Sequence, residues 1–128
     1  MVDSSRYQDW IQKAKKDINA ALILKEHDCG NDLVSFHCQQ AIEKLLKGYI
    51  IYKINKIVEG HSLVYLCKIC MNFNPELKKY IKDCAFVNQY YIETRYPSED
   101  TIEVSDEEAQ ECIKISKEIF QLIENDIK

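Results

Sequence analysis

Apolar positions recur at helical spacing along nearly all of this chain. Tyr7, Trp10, Ile11, Ala14, Ile18, Ala21 and Leu22 mark one face of a first helix, expected from about Ser5 to His27, with Ser5 and Gln8 as its capping box. Asp28-Cys29-Gly30-Asn31 offers a C′ glycine and a fresh N-cap, hence a short link to an antiparallel neighbour. That second helix, from about Asp32 to Lys53, carries Leu33, Val34, Phe36, Ala41, Ile42, Leu45, Leu46, Tyr49, Ile50 and Ile51. Such a spread is too wide for one apolar stripe, so the helix is either central or shared with a partner. His37, Gln40, Glu43, Lys44 and Lys47, spaced to share a face, interrupt it in a row.

A short third helix follows Gly60-His61-Ser62, with Leu63, Leu66 or Cys67, and Cys70 on one side. Asn74-Pro75-Glu76 is a helix start in which Asn caps, Pro suits the first position and Glu complements the dipole. The fourth helix would then point Leu77, Ile81, Cys84, Val87 and Tyr91 inward and end at Pro97. Ser105-Asp106-Glu107-Glu108 reads as a capping box, and Cys112, Ile113, Ser116, Ile119, Phe120 and Ile123 continue a fifth helix. The expected fold is all-α, a single domain over residues 1–128: an antiparallel up-and-down bundle of four long helices plus one short one.

Composition sharpens this picture by exclusion. With 46% hydrophobic residues, 3 Gly and 2 Pro in 128 residues, the chain is neither disordered nor many-stranded. Its 17 basic and 21 acidic residues argue against a surface that coats nucleic acid without selectivity. No basic leader with an apolar core opens the chain and no uncharged stretch is long enough to cross a membrane, so a cytoplasmic protein is expected. The six cysteines fall mostly on inward-facing helical positions and read as reduced core residues, Cys67 and Cys70 included. No cofactor or metal is called for. Arginine occurs only as Arg6 and Arg95, and a permanently charged planar fork in a chain that otherwise uses lysine singles out Arg95.

Three segments in order, Gln39-Gln40-Ala41-Ile42-Glu43-Lys44-Leu45-Leu46-Lys47, Gly60-His61-Ser62-Leu63 and Tyr90-Tyr91-Ile92-Glu93-Thr94-Arg95-Tyr96-Pro97, together resemble the HEPN domain family. Trp10, Ala14 and Asp17 extend the similarity over nearly the whole chain. The resemblance implies a helical bundle, usually a homodimer, in a family associated with nucleotide binding. Members often accompany a minimal nucleotidyltransferase in a toxin–antitoxin-like gene pair. Others are metal-independent ribonucleases in which a histidine follows an arginine by a few residues. Here His27, His37 and His61 all precede Arg95, and no histidine follows Arg6 at that interval, so a binding protein is expected rather than a nuclease.

The candidate nucleotide-binding residues are Arg95, Tyr96, Lys44, Lys47, Gln40, His37 and His61. Arg95 with Tyr96 could clamp a phosphate and stack a base, or simply cap helix carbonyls. Lys44 and Lys47 could meet phosphates with Gln40 and His37 on base or ribose and Glu43 orienting Lys47, or the stripe could be a solvated or intersubunit charge set. His61 could serve as acid or base, yet sequence supplies no activating partner, which leaves helix capping or packing. Phe86, Tyr90, Tyr91 and Tyr96 form an aromatic cluster suited to core or dimer packing, or to lining a small polar cleft.

Overall fold

A computed structural model describes residues 2–91, 97 and 103–127. Its helices are α1 (Tyr7–Glu26), α2 (Asn31–Ile54), α3 (Leu63–Met71), a 3₁₀ segment (Pro75–Tyr80) running directly into α4 (Ile81–Asn88), and α5 (Asp106–Asp126). Cross-contacts fix their directions. Asp17 meets Lys44 and His37, while Lys47 lies over Trp10, so α1 and α2 are antiparallel. Tyr80 reaches Glu118 and Tyr90 reaches Glu108, which sets α4 antiparallel to α5. Asp106 sits beside Asn31 and Asp126 beside Tyr49, so α5 runs parallel to α2. The result is an up-and-down bundle of α1, α2, α4 and α5, with α3 as a short helix packed against α2 and α4.

The breadth of apolar positions on the second helix is explained by its place at the centre, packed against α1, α3 and α5. Ala41, Ile42, Leu45, Leu46, Tyr49 and Ile50 are all fully buried. Gly48 is what lets α1 come close: a Cβ there would lie 2.9 Å from the Trp10 Cβ and 3.1 Å from the Ile11 Cδ1. Five of the six cysteines are buried, Cys29 being the exposed one. The Cys67 thiol is directed at the Leu77 carbonyl (3.5 Å) and the Cys70 thiol at the Leu46 carbonyl (3.7 Å). Burial pushes the Cys38 thiol up to about 12 and the Cys70 thiol higher still, as expected of inert core residues.

Helix ends correct the sequence reading in several places. The N-cap position of the first helix is Arg6, whose side chain makes no capping bond; Ser4, not Ser5, organises that end, accepting from the Arg6 N–H (3.0 Å) and donating to Asp9 (2.7 Å). Asp28 takes the left-handed conformation after α1 (φ 52°), whereas Gly30, at φ 125°, is the N-cap of α2. Asn31 is therefore inside the helix, and its side chain donates to the Val104 carbonyl and to Asp106, joining the starts of α2 and α5. The fourth arm is two short pieces rather than one long helix. Its 3₁₀ start aligns Leu77 and Tyr80, three residues apart, into the core, because that helix has three residues per turn. It ends at Asn88, before Pro97, where Tyr90 and Tyr91 continue in turns on the Val87 and Asn88 carbonyls. The Ser105–Glu108 capping box of α5 is formed in both directions.

Candidate functional site

On α2 the polar stripe divides into two clusters. The outer one is centred on Asp17 of α1, whose two carboxylate oxygens accept from His37 Nδ1 (3.0 Å) and Lys44 Nζ (2.6 Å). Burial pushes the Asp17 carboxyl up, but the hydrogen bonds and charges of His37 and Lys44 outweigh it and hold it below the ordinary carboxylate value. Asp17 was legible as a polar residue on the Ala14–Ile18–Ala21 face of α1, all three of which are buried.

The inner cluster is built around Glu43, whose side chain is 7% exposed. Its Oε2 accepts from Lys47 Nζ (3.1 Å), one turn along α2, and from His61 Nδ1 (3.0 Å); its Oε1 accepts from Gln39 Nε2 (3.4 Å). Gln40 Nε2 donates to the side-chain Oε1 of Gln39 (2.8 Å), so Gln40 works through a buried neighbour that the sequence did not single out. Lys47 is as buried as Glu43, and its ammonium lies 5.8 Å from the centre of the Trp10 ring. A buried ion pair of this kind is held by geometry and by the Trp10 face together.

His61 is the exposed member, with 52% of its side chain accessible. It does not cap α3: Ser62 does, accepting from the Tyr65 N–H at 3.2 Å. Freed from that role, the imidazole stacks on Tyr91, with ring centres 4.7 Å apart and planes 22° from parallel. The partner for His61 that sequence could not supply is thus Glu43, eighteen residues earlier, brought in by the turn from α2 to α3.

Tyr91 reaches His61 because its neighbour Tyr90 is the inward residue. Tyr90 is 1% exposed and donates to Glu108 of α5 (2.8 Å), which corrects the expectation that Tyr91 faces the core. Backbone and Tyr90 hydrogen bonds in turn hold the Glu108 carboxyl below its ordinary value, fastening the end of α4 to the start of α5. Phe86 packs edge-on against Tyr90. Arg95 and Tyr96 lie outside the described residues.

Of the candidates, then, Lys47 and His61 converge on one carboxylate with Gln40 one residue removed, while His37 and Lys44 belong to the separate Asp17 cluster. Among the described residues no group of three His, Cys, Asp or Glu side chains is placed to hold a metal ion, and no helix is long and apolar enough to cross a membrane. Chemically the inner cluster offers an oriented imidazole on an aromatic platform, a buried cation and an amide relay.

The whole bundle has close relatives in shape. Over 96% of this chain and 98% of the other, it superposes with a TM-score of 0.77 and 26% identity on the crystal structure of ST0689, an archaeal HEPN homologue. The crystal structure of TT1696 from Thermus thermophilus shares the fold, with a TM-score of 0.76 and 24% identity over 97% of this chain and 100% of that one. No curated protein matches in sequence. The family model of the HEPN domain matches residues 7–126, from the first residue of α1 to the last of α5, and the chain therefore belongs to the HEPN domain family.

Proposed function

We propose that this HEPN chain binds a nucleotide at the Glu43–Lys47–His61–Tyr91 cluster and performs no chemistry of its own. The observation that carries this reading is the convergence of an exposed, carboxylate-oriented imidazole stacked on Tyr91 with a buried lysine under Trp10. Such a site combines hydrogen-bonding groups, positive charge and aromatic faces, the three things that phosphate, ribose and base each require. Arg95 and Tyr96 follow Tyr91 by four and five residues in sequence and join the site in this proposal, Arg95 as the phosphate fork. His37 and Lys44, engaged by Asp17, stay outside this site and hold α1 to α2 beside it.

The wider reading is a homodimer that works with a minimal nucleotidyltransferase encoded nearby, in a toxin–antitoxin-like pair, in the cytoplasm. Family membership supports it. Calorimetric titration of nucleotides into wild type and Arg95→Ala tests the binding: affinity should fall at least about tenfold in the variant, and unchanged affinity removes Arg95 from the site. Co-purification with the transferase and sedimentation of the purified chain test the two assembly statements.

A second reading, a diverged metal-independent ribonuclease, is favoured by one feature, the pairing of His61 with a carboxylate, which is how acid–base histidines are oriented. It predicts RNA cleavage in the presence of a chelator, lost on Arg95→Ala.

A further inference from the structure

We propose, building on the nucleotide-binding reading, that Glu43 is a positioning residue that fixes the His61 tautomer, so that Nε2 is the atom that meets the ligand's phosphate and takes up a proton as it does so. An ionised carboxylate only accepts hydrogen bonds, so the 3.0 Å contact from Glu43 requires the proton on Nδ1. In a neutral imidazole that leaves a lone pair on Nε2, on the far side of the ring from Glu43. Stacking on Tyr91 fixes the ring plane and the Glu43 contact fixes its rotation within that plane, so both degrees of freedom of Nε2 are set. A histidine that merely packed would need neither the buried carboxylate nor the parallel aromatic face.

Charge arithmetic then selects the ligand. Among the described residues, the groups facing His61 are Glu43 from α2, Lys47 through the same carboxylate oxygen, and the Tyr91 ring beyond α4. With a neutral imidazole, Glu43 and Lys47 cancel, so these described side chains carry no net charge beside the Arg95 fork of the proposed site. With His61 protonated the same cluster carries one positive charge, and Nε2 becomes a donor. A phosphate oxygen, which only accepts hydrogen bonds and carries negative charge, gains from both. Phosphate binding therefore draws a proton onto Nε2, and affinity for the phosphate-bearing ligand is higher in acidic than in alkaline solution once the ligand's own protonation is allowed for.

The test has a ligand-free arm and a binding arm. Nitrogen-15 NMR of the wild-type imidazoles should show His61 as the Nδ1–H tautomer at alkaline pH. Glu43→Gln should lose that preference, and Glu43→Leu/Lys47→Met, which removes the orphaned lysine as well, keeps the measurement open if the single variant is unstable. Finding the Nε2–H tautomer in wild type overturns the proposal. In the binding arm, AMP, adenosine and inorganic phosphate are titrated into wild type and His61→Gln at about pH 6 and about pH 8. Wild type should bind AMP about tenfold more tightly at the lower pH than the trend shown by His61→Gln, in which the titration of AMP's own phosphate is common and cancels. Adenosine should show no such excess, and inorganic phosphate should show it if the phosphate alone is recognised. Equal pH trends in both proteins, with AMP bound, overturn this inference and leave nucleotide binding standing. Absence of AMP binding at both pH values overturns the nucleotide reading and the phosphate assignment together.

Discussion

Asp17 and Glu43 each hold one histidine and one lysine, at 3.0 and 2.6 Å in the first case and at 3.0 and 3.1 Å in the second. The sets differ in where the cations stand. Around Asp17 both partners come from α2, and His37 and Lys44 are each about a third exposed (31% and 27%), so water can take over if the carboxylate is lost. Around Glu43 the lysine is almost fully buried while the histidine, on another segment, is half open. One set therefore ties two helices together, and the other divides its work, spending burial on Lys47 and presenting His61 to solvent. The same residue types thus give a structural clip in one place and a poised group in the other, and the deciding variable is desolvation.

This contrast can be broken experimentally. The largest effect should follow Glu43→Ala, which leaves Lys47 uncompensated under Trp10 and should cost about 3–5 kcal/mol in urea unfolding. A loss below about 1 kcal/mol would show that water reaches Lys47 and that the two sets are alike. Gly48→Ala acts on the crossing of α1 and α2 from which Trp10 covers Lys47; overpacking against Trp10 and Ile11 should cost about 1–3 kcal/mol by the same assay. Asp17→Ala should cost about 1–2 kcal/mol, less than Glu43→Ala, because its partners rehydrate.

Acidification sharpens the comparison further. The folded Asp17 carboxyl lies below its ordinary value of 3.8, so its contribution is complete above that value and is lost as pH falls through the folded one. The stability gap between wild type and Asp17→Asn should thus close on going from about pH 5 to about pH 2, read from thermal midpoints. A gap that stays constant would show that Asp17 acts by packing alone. The smallest effect is expected for His61→Gln, within about 0.5 kcal/mol of wild type, since half of the side chain is in water.

Much of the molecule was legible in the residues because its signals are local. Periodicity located the helices, the Ser105–Glu108 box announced α5, and Asn74-Pro75-Glu76 announced the fourth arm. The Glu43–Lys47 pair follows from a spacing of four on a helix. Local signals failed where neighbours compete. Ser4 and Ser5, Gly30 and Asp28, and Tyr90 and Tyr91 are adjacent or nearly adjacent alternatives; Ser4 is chosen by bonds within its own helix end, and Tyr90 by what it meets across the bundle.

By itself, the sequence determined an all-α bundle, a second helix too broadly apolar to lie on the surface of a lone bundle, mostly inward cysteines and a polar stripe on that helix, since each of these depends on spacing within one helix. The family resemblance rested on segments that are likewise continuous in the chain. Tertiary structure alone decided that the stripe is two sets rather than one, because Asp17 comes from α1 and His61 from beyond the turn after α2. It alone gave His61 its carboxylate and its Tyr91 face, and so separated the histidine that can meet a ligand from the one that clips helices. Burial and hydrogen-bond partners across elements are properties of packing, and helical spacing carries no record of them.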